Sequence, residues 1–237
     1  MDNNLEEIYV RTKLLIGKEN FLKLNKANIV ILGIGGVGGF VLESIARMGV
    51  GNITIVDKDI VDISNINRQI IATTKTIGLS KVDVAKKRIN EINPSINVIE
   101  KCLNITEDNI KEIITEKIDY VIDSIDDFNA KISVIKYCKV NNIKIISSMG
   151  MANKLDPLRI KIADINKTTQ CKLAKKVRKK LKELNIKKLK VIYSDEETIE
   201  IDKNIITDSK LGSISFVPSV AGLVIASEVF KDLTNDQ

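Results

Sequence analysis

Residues 33–39 read Gly-Ile-Gly-Gly-Val-Gly-Gly, between the apolar run Asn28–Leu32 and the apolar-periodic stretch Val37–Met48. A glycine cluster that follows a strand and opens a helix is G-x-G-x-x-G in its required context. Gly33 permits the tight turn. Gly35 and Gly36 let the backbone approach phosphate oxygens with no Cβ in the way, and Gly38 lets helix and strand pack closely. The helix N-terminus then offers unpaired N–H groups and the positive end of its dipole. Asp57, at the tip of a second strand over Asn52–Val56, stands where an acid binds ribose hydroxyls. The motif alone leaves NAD, FAD and ATP open.

The rest of the chain continues the same rhythm. Strands are expected over Asn97–Lys101, Tyr120–Asp123, Lys144–Ser147, Arg159–Ala163 and Lys190–Tyr193. Helices are expected over Lys81–Ile92, Asp108–Glu116, Ala130–Val140 and Ser219–Leu233. Apolar positions at Leu5, Ile8, Leu14, Leu15, Phe21, Leu22 and Leu24 suit one or two short helices at the N-terminus, and Glu196–Leu211 reads as a polar loop. Alternating strands and helices predict an α/β, Rossmann-like fold: a mostly parallel central sheet with helices on both faces. No repeat or linker is visible, so residues 1–237 are expected to form one domain.

Composition removes several function classes. The chain of 237 residues has no histidine, which excludes Ser-His-Asp, Cys-His and histidine–metal chemistry. Its three cysteines, Cys102, Cys138 and Cys171, form no C-x-x-C pair, so neither a disulfide framework nor a four-cysteine zinc site is expected, and a reducing cytoplasm fits. Cys102 and Cys138 read as structural. The longest charge-free stretches, Ala27–Leu42 and Leu211–Ser227, contain glycines or Pro218 and do not read as membrane spans. The net charge of +6 is concentrated. Lys167–Lys190 carries eleven Lys/Arg and one acid, a local +10 that leaves the remainder at −4. Leu173, Val177, Leu181 and Leu184 recur there at helical spacing, so the segment is an amphipathic helix with a dense basic face. Such a face is either a solvated surface or a polyanion site, with nucleic acid the favoured partner. Lys172, Lys175, Lys176, Arg178, Lys179 and Lys180 are its candidate contacts.

Three further features favour ATP. Asn65, Arg68 and Gln69 follow the acidic stretch Asp57–Asp62, Lys81 opens the next helix, and Asp123 and Asp126 close a strand. An arginine and a lysine supply charge-assisted bonds suited to a triphosphate. Paired acids at a strand end, beside a phosphate loop, suit Mg²⁺. The competing roles are surface ion pairs for Arg68 and Lys81 and helix capping for the two aspartates.

Together, Gly33–Gly38, Asp57, Asn65, Arg68-Gln69, Lys81 and Asp123…Asp126 resemble the adenylation domain of the ubiquitin-activating-enzyme-like superfamily. That group includes the bacterial activators of the thiamin and molybdopterin sulfur carriers. Within it the chain is most similar to the tRNA threonylcarbamoyladenosine dehydratase branch. That narrower likeness is carried by Arg11–Gly17, Asp57–Gln69, Thr169–Ala174 and Gly212–Gly222. The resemblance implies nucleotide phosphates on Gly35 and Gly36 and a triphosphate contacted by Asn65, Arg68 and Lys81. Asp126 would bind Mg²⁺ with Asp123 in support, or the reverse. It also implies a homodimer in which Arg11 reaches the partner's nucleotide site. The implied activity is ATP-dependent adenylation of the substrate carboxylate in tRNA, followed by ring closure with net loss of water. A K⁺ or Na⁺ ion on backbone carbonyls near Ser219–Gly222 and a sulfurtransferase partner stay open. The alternative is an adenylating activator of a ubiquitin-like sulfur carrier. It shares the nucleotide site but needs an acceptor cysteine and leaves the basic helix unexplained. Further alternatives are a NAD-dependent oxidoreductase, which leaves Arg68 and Lys81 without a role, and a non-catalytic binding module.

Overall fold

The computed structural model describes residues 7–202, 204–205 and 211–235. Five parallel strands are β1 Asn28–Leu32, β2 Asn52–Val56, β3 Asn97–Lys101, β4 Tyr120–Asp123 and β5 Lys144–Ser148. At one edge β6 Ile160–Asp164 runs antiparallel to β7 Lys190–Ser194, which itself is parallel to β5. The sheet order is β3-β2-β1-β4-β5-β7-β6. Strand order therefore reverses at β1, which pairs β2 on one side and β4 on the other.

Period-two alternation decides which side chains face which helices. Ile29 and Ile31 of β1 point to a core formed with α1 Val10–Lys26, α2 Gly38–Met48, α3 Lys81–Ile92 and α7 Phe216–Thr234. Val30 and Leu32 point to the opposite core, formed with α4 Ile110–Ile113, α5 Phe128–Val140 and α6 Lys172–Glu183. Both faces of the sheet are thus covered, which is why its central strands β1 and β4 read as apolar runs, whereas the edge strands β3 and β6 carry charged residues. The expected α/β, Rossmann-like class is the observed one.

Several boundaries differ from expectation, each for a local reason. The helix expected over Asp108–Glu116 is the single turn α4. Asn109 Oδ1 accepts the Thr106 N–H at 2.9 Å before that turn, and Ile114 leaves it in an extended conformation. α5 begins before Ala130, because Asp127 accepts the Ala130 N–H at 2.7 Å and caps the helix. α1 is interrupted at Gly17 (φ 80°, ψ 161°), so the N-terminal stretch makes two helical pieces. Leu24 and Phe21 from that stretch are buried, but Leu14 and Leu15 are 81% and 86% exposed. Leu5 and part of the polar loop expected over 196–211 lie outside the described residues. Cys138 is buried, as a structural cysteine should be, and burial pushes its thiol up to about 12. Cys102, expected to be structural as well, is exposed just beyond β3.

One buried charge pair ties the strand ends together. Lys131 Nζ on α5 lies 2.8 Å from Asp123 Oδ2 at the end of β4, with both side chains fully buried. Ser147 Oγ also donates to Asp123 Oδ2 at 2.5 Å, and Lys131 Nζ donates to Ser148 O at 3.0 Å at the end of β5. Removing one partner of such a pair leaves an uncompensated buried charge. Lys131→Met is therefore expected to lower unfolding free energy by about 3–5 kcal/mol, measured by equilibrium urea denaturation.

Candidate active site

A cleft of about 750 Å³ opens at the C-terminal ends of β1, β2, β4 and β5. This is the switch point of the sheet, where open α/β folds leave a crevice. The glycine turn forms its floor. Gly33 has φ +85°, and a Cβ there would sit 2.8 Å from Ser124 O; a Cβ on Gly38 would sit 1.9 Å from Gly33 O. Both positions require glycine, one for its backbone angle and both for close approach. The Gly33 N–H donates to Val56 O and the Ser124 N–H to Leu32 O, each at 2.8 Å, so the turn is stitched to both neighbouring strands.

Asp57 supports the turn as well as facing the cleft. Its Oδ2 accepts the Ile34 N–H at 2.6 Å and its Oδ1 the Asp59 N–H at 2.9 Å. Asn65 ends a short 3₁₀ turn, Ile63–Asn65, and joins a reciprocal cap with Asp62. Arg68 Nη1 donates to Ser64 O at 2.9 Å and Asn67 Oδ1 at 3.0 Å, which fixes the guanidinium on the cleft wall. Lys81, only 6% exposed, pairs through Nζ with Asp59 Oδ2 at 2.8 Å. Gln69 is buried, and its Oε1 lacks a protein partner, as does Ser124 Oγ. Both residues line the cleft. Unpaired buried polar atoms on a pocket wall are costly unless a ligand or water satisfies them. Together with the open space above Gly35, where a Cβ would meet nothing closer than Gln69 Nε2 at 4.0 Å, they fit a nucleotide; Gly36 lies closer to the wall, where a Cβ would meet Pro218 at 3.3 Å.

The expected site residues separate into two sets. Gly33, Gly35, Gly36, Asp57, Asn65, Arg68, Gln69, Lys81 and Asp126 line one cleft, joined by Lys172 and Lys176. Gly38 packs behind the turn. Asp123 is sealed behind the wall by Lys131 and Ser147, so it supports the site without meeting a ligand. That arrangement separates the roles of the two aspartates. Asp127, not Asp126, caps α5, so the exposed Asp126 carboxylate remains available to a cation beside phosphate. Among the described residues no group of three or more His, Cys, Asp or Glu is arranged to hold a metal, so phosphate oxygens and water would supply the other ligands. Arg11 lies exposed on α1, away from the cleft lining. Ser219–Gly222, considered for a monovalent cation, is helical, and its carbonyls are engaged in the α7 ladder.

The basic helix is also sorted by the structure. Ala174, Val177 and Leu181 form its buried stripe. Arg178 does not present its guanidinium to a polyanion as expected. Its Nη1 donates to Ile165 O at 3.2 Å, Thr168 O at 3.0 Å and Thr168 Oγ1 at 2.9 Å, pinning α6 to the preceding turn. Lys180 pairs with Glu183 at 2.9 Å. Lys172, Lys175, Lys176 and Lys179 are exposed. Cys171 caps the helix, its Sγ accepting the Ala174 N–H at 3.4 Å. The half of the cleft beyond the phosphate loop, including Met149, Met151, Lys154 and Thr198, was not legible from motifs. Burial lowers the Lys154 ammonium below the ordinary lysine range, although Cys171, Glu196 and Asp195 favour its charge.

The ThiF family pattern matches residues 9–237. The tRNA threonylcarbamoyladenosine dehydratase of Bacillus subtilis is 44% identical over 241 residues, covering 96% of this chain and 95% of that protein. The crystal structure of the Escherichia coli tRNA N6-threonylcarbamoyladenosine dehydratase in complex with ATP superposes with a TM-score of 0.91. It has 31% identity and covers 98% of this chain and 96% of the other. A probable molybdopterin-synthase adenylyltransferase of Porphyra purpurea is 41% identical, but over 128 residues, 54% of this chain and 33% of that protein.

Gly35 and Gly38 make separable predictions. A Cβ on Gly35 meets nothing closer than 4.0 Å. Gly35→Ala should therefore keep the urea midpoint while weakening ATP at least tenfold in titration calorimetry, because the methyl enters phosphate space. Gly38→Ala should instead destabilise the fold by about 1–3 kcal/mol, as overpacking does.

Proposed function

The chain belongs to the ThiF family, and on that premise we propose that it is an ATP-dependent tRNA threonylcarbamoyladenosine dehydratase. The observation that carries this reading is the likeness to the Bacillus subtilis dehydratase along almost the whole of both chains, basic helix included. The likeness to the molybdopterin-synthase adenylyltransferase stops at about half of this chain, which disfavours the carrier-activator alternative.

The chemistry follows from the cleft. The carboxylate of the threonylcarbamoyl group attacks the α-phosphorus of ATP, and the bond to pyrophosphate breaks. The product is a mixed anhydride with AMP. A neighbouring atom of the same modification then attacks the acyl carbon, a ring closes, and AMP departs with the carboxylate oxygen. The net change in the nucleoside is loss of one water. No protein nucleophile is needed, so the absence of histidine and the capping role of Cys171 are compatible with turnover. The protein positions and neutralises. Asp57 meets the ribose. Asn65, Gln69, Arg68 and Lys81 meet the phosphates, the two cations prealigned by Ser64 O and Asp59. Asp126 would hold Mg²⁺, which when bound neutralises charge on the phosphate oxygens.

Residues 1–237 act as one adenylation domain with the basic segment 167–190 inside it. Two copies associate through the exposed Leu14 and Leu15 surface of α1, bringing Arg11 toward the partner's nucleotide. Lys172, Lys175, Lys176 and Lys179 meet RNA phosphates. The enzyme works in the cytoplasm, where tRNA, ATP and reduced thiols coexist; among the described residues no helix is long and apolar enough to cross a membrane. Neither a K⁺ or Na⁺ ion nor a sulfurtransferase partner is given a step.

The decisive experiment incubates modified tRNA with the protein, ATP and Mg²⁺ and follows the nucleoside by mass spectrometry. Loss of one water is expected, dependent on ATP and lowered at least a hundredfold in Arg68→Ala. An unchanged nucleoside would sink the reading. For the RNA surface, changing Lys172, Lys175, Lys176 and Lys179 together to Gln should flatten the slope of log affinity against log salt. The expected change is about 0.7–0.9 for each RNA phosphate that the variant no longer neutralises; an unchanged slope would remove those lysines from the interface.

A further inference from the structure

The cleft has a second half that the nucleotide does not explain. It is floored by the segment after β5, Ser148 to Lys154, and walled by the start of α6 around Cys171, Leu173 and Lys176. Met149, Met151 and Leu173 give it an apolar lining of the kind on which a planar base packs. Within that lining sits one buried cation. Lys154 is 4% exposed, and a single protein acceptor, Glu196 O, engages its Nζ among the described residues. An ammonium carries three donors, so two remain. A buried lysine with spare donors on a pocket wall is a place for an anion. The other cations of the lining are differently placed: Arg68 and Lys81 lie at the phosphate-loop end, bound to Ser64 O and Asp59, and Lys58, Lys172 and Lys176 are exposed.

We infer that this half of the cleft receives the modified base, and that Lys154 binds the carboxylate about to be adenylated. The inference rests on the dehydratase reading and adds to it the group that selects the free acid. The main-chain bond to Glu196 holds the ammonium in place. The segment bearing Lys154 is fixed in turn: the Asn153 N–H donates to Gly212 O at 2.9 Å and the Ile199 N–H to Asn153 O at 2.9 Å. Lys154 thus orients a nucleophile that, as a carboxylate, needs no base to activate it. Lys172 and Lys176 at the mouth meet the phosphates flanking the base.

The test uses the full chain and two synthetic anticodon stem-loop RNAs. One bears the threonylcarbamoyl group as the free acid and the other as its methyl ester, which keeps shape and removes charge. Binding is measured without ATP by fluorescence anisotropy. The wild type should prefer the acid by about tenfold or more, the ratio expected for a charge-assisted hydrogen bond. Lys154→Met should lose that preference while binding the ester and ATP within about twofold of wild type. Should Lys154→Met fail to fold, Lys154→Gln, whose amide can still donate to Glu196 O, should lose the preference with the urea midpoint retained. A structural role alone would weaken acid and ester together. Retention of the preference in a folded variant would overturn the assignment. Dehydration by a wild type that does not discriminate acid from ester would overturn it while leaving the dehydratase reading intact. No dehydration of the acid RNA would overturn both.

Discussion

The Asp123–Lys131 pair fixes the geometry of the cleft. Two full charges without solvent exposure are tolerated only when each is closely partnered. Here Asp123 Oδ2 receives Lys131 and Ser147, while its Oδ1 accepts the Ile125 N–H at 3.1 Å. Lys131 passes on to Ser148 O. The end of β4, the start of α5 and the end of β5 are therefore held by one network. Both rims of the cleft hang from it: Ser124–Asp127 on one side and Ser148–Lys154 on the other. The glycine turn meets the same network from below, since Gly33 lies against Ser124 O. Motion at this point would spread the phosphate-binding half from the other half, and that is why a costly buried pair is suited to it.

The sequence disclosed what depends on local chemistry. β1, β2, β3 and β4 have their expected bounds; β1, β2 and β4 are short apolar runs ended by a turn, and β3, at the sheet edge, holds a shorter β-branched stretch with one buried residue. The glycine turn, Asp57, Arg68 and Lys81 were legible because spacing along a βα unit dictates where they lie. Asp123 and Asp126 could not be told apart by spacing. Only Ser124 and Ile125 separate them, but one belongs to a buried strand and the other to the turn beyond it, so the first is enclosed and the second meets solvent. Arg178 and Lys154 were beyond reach for a related reason. A long cationic side chain can lie on a surface or reach back to buried carbonyls, and only tertiary placement decides. Arg178 turns toward Thr168; its neighbours on the basic face turn outward.

That difference shapes the field at the cleft. The +10 segment presents exposed lysines, with Lys172 and Lys176 at the mouth, while the half-buried Arg178 holds the helix in register. Inside stands Lys154, and beyond it Arg68 and Lys81, each anchored by an acceptor. Low-dielectric walls concentrate such a field and draw anions inward. Because the rest of the chain is net negative, the attraction is local to this side of the molecule. An uncharged helix of the same shape would fill the same core through Ala174, Val177 and Leu181, so the lysines are surplus to folding.

A histidine-free cleft is suited to a reaction in which the substrate brings its own nucleophile and a good leaving group is made from ATP. A carboxylate at neutral pH is already ionised, so it requires orientation more than activation. Orientation is what the structure supplies at both ends: Arg68 and Lys81 are held by Ser64 O and Asp59, and Lys154 by Glu196 O. None of these cations is left to find its position when a ligand arrives, so little reorganisation remains to be done at the reacting centre. Asn153 ties the floor of the second half to Gly212 and Ile199. An acyl adenylate is prone to hydrolysis, and ring closure outruns water only where the internal nucleophile is nearer than solvent. A cleft built on a rigid ion pair, with anchored cations at each end, is suited to that competition.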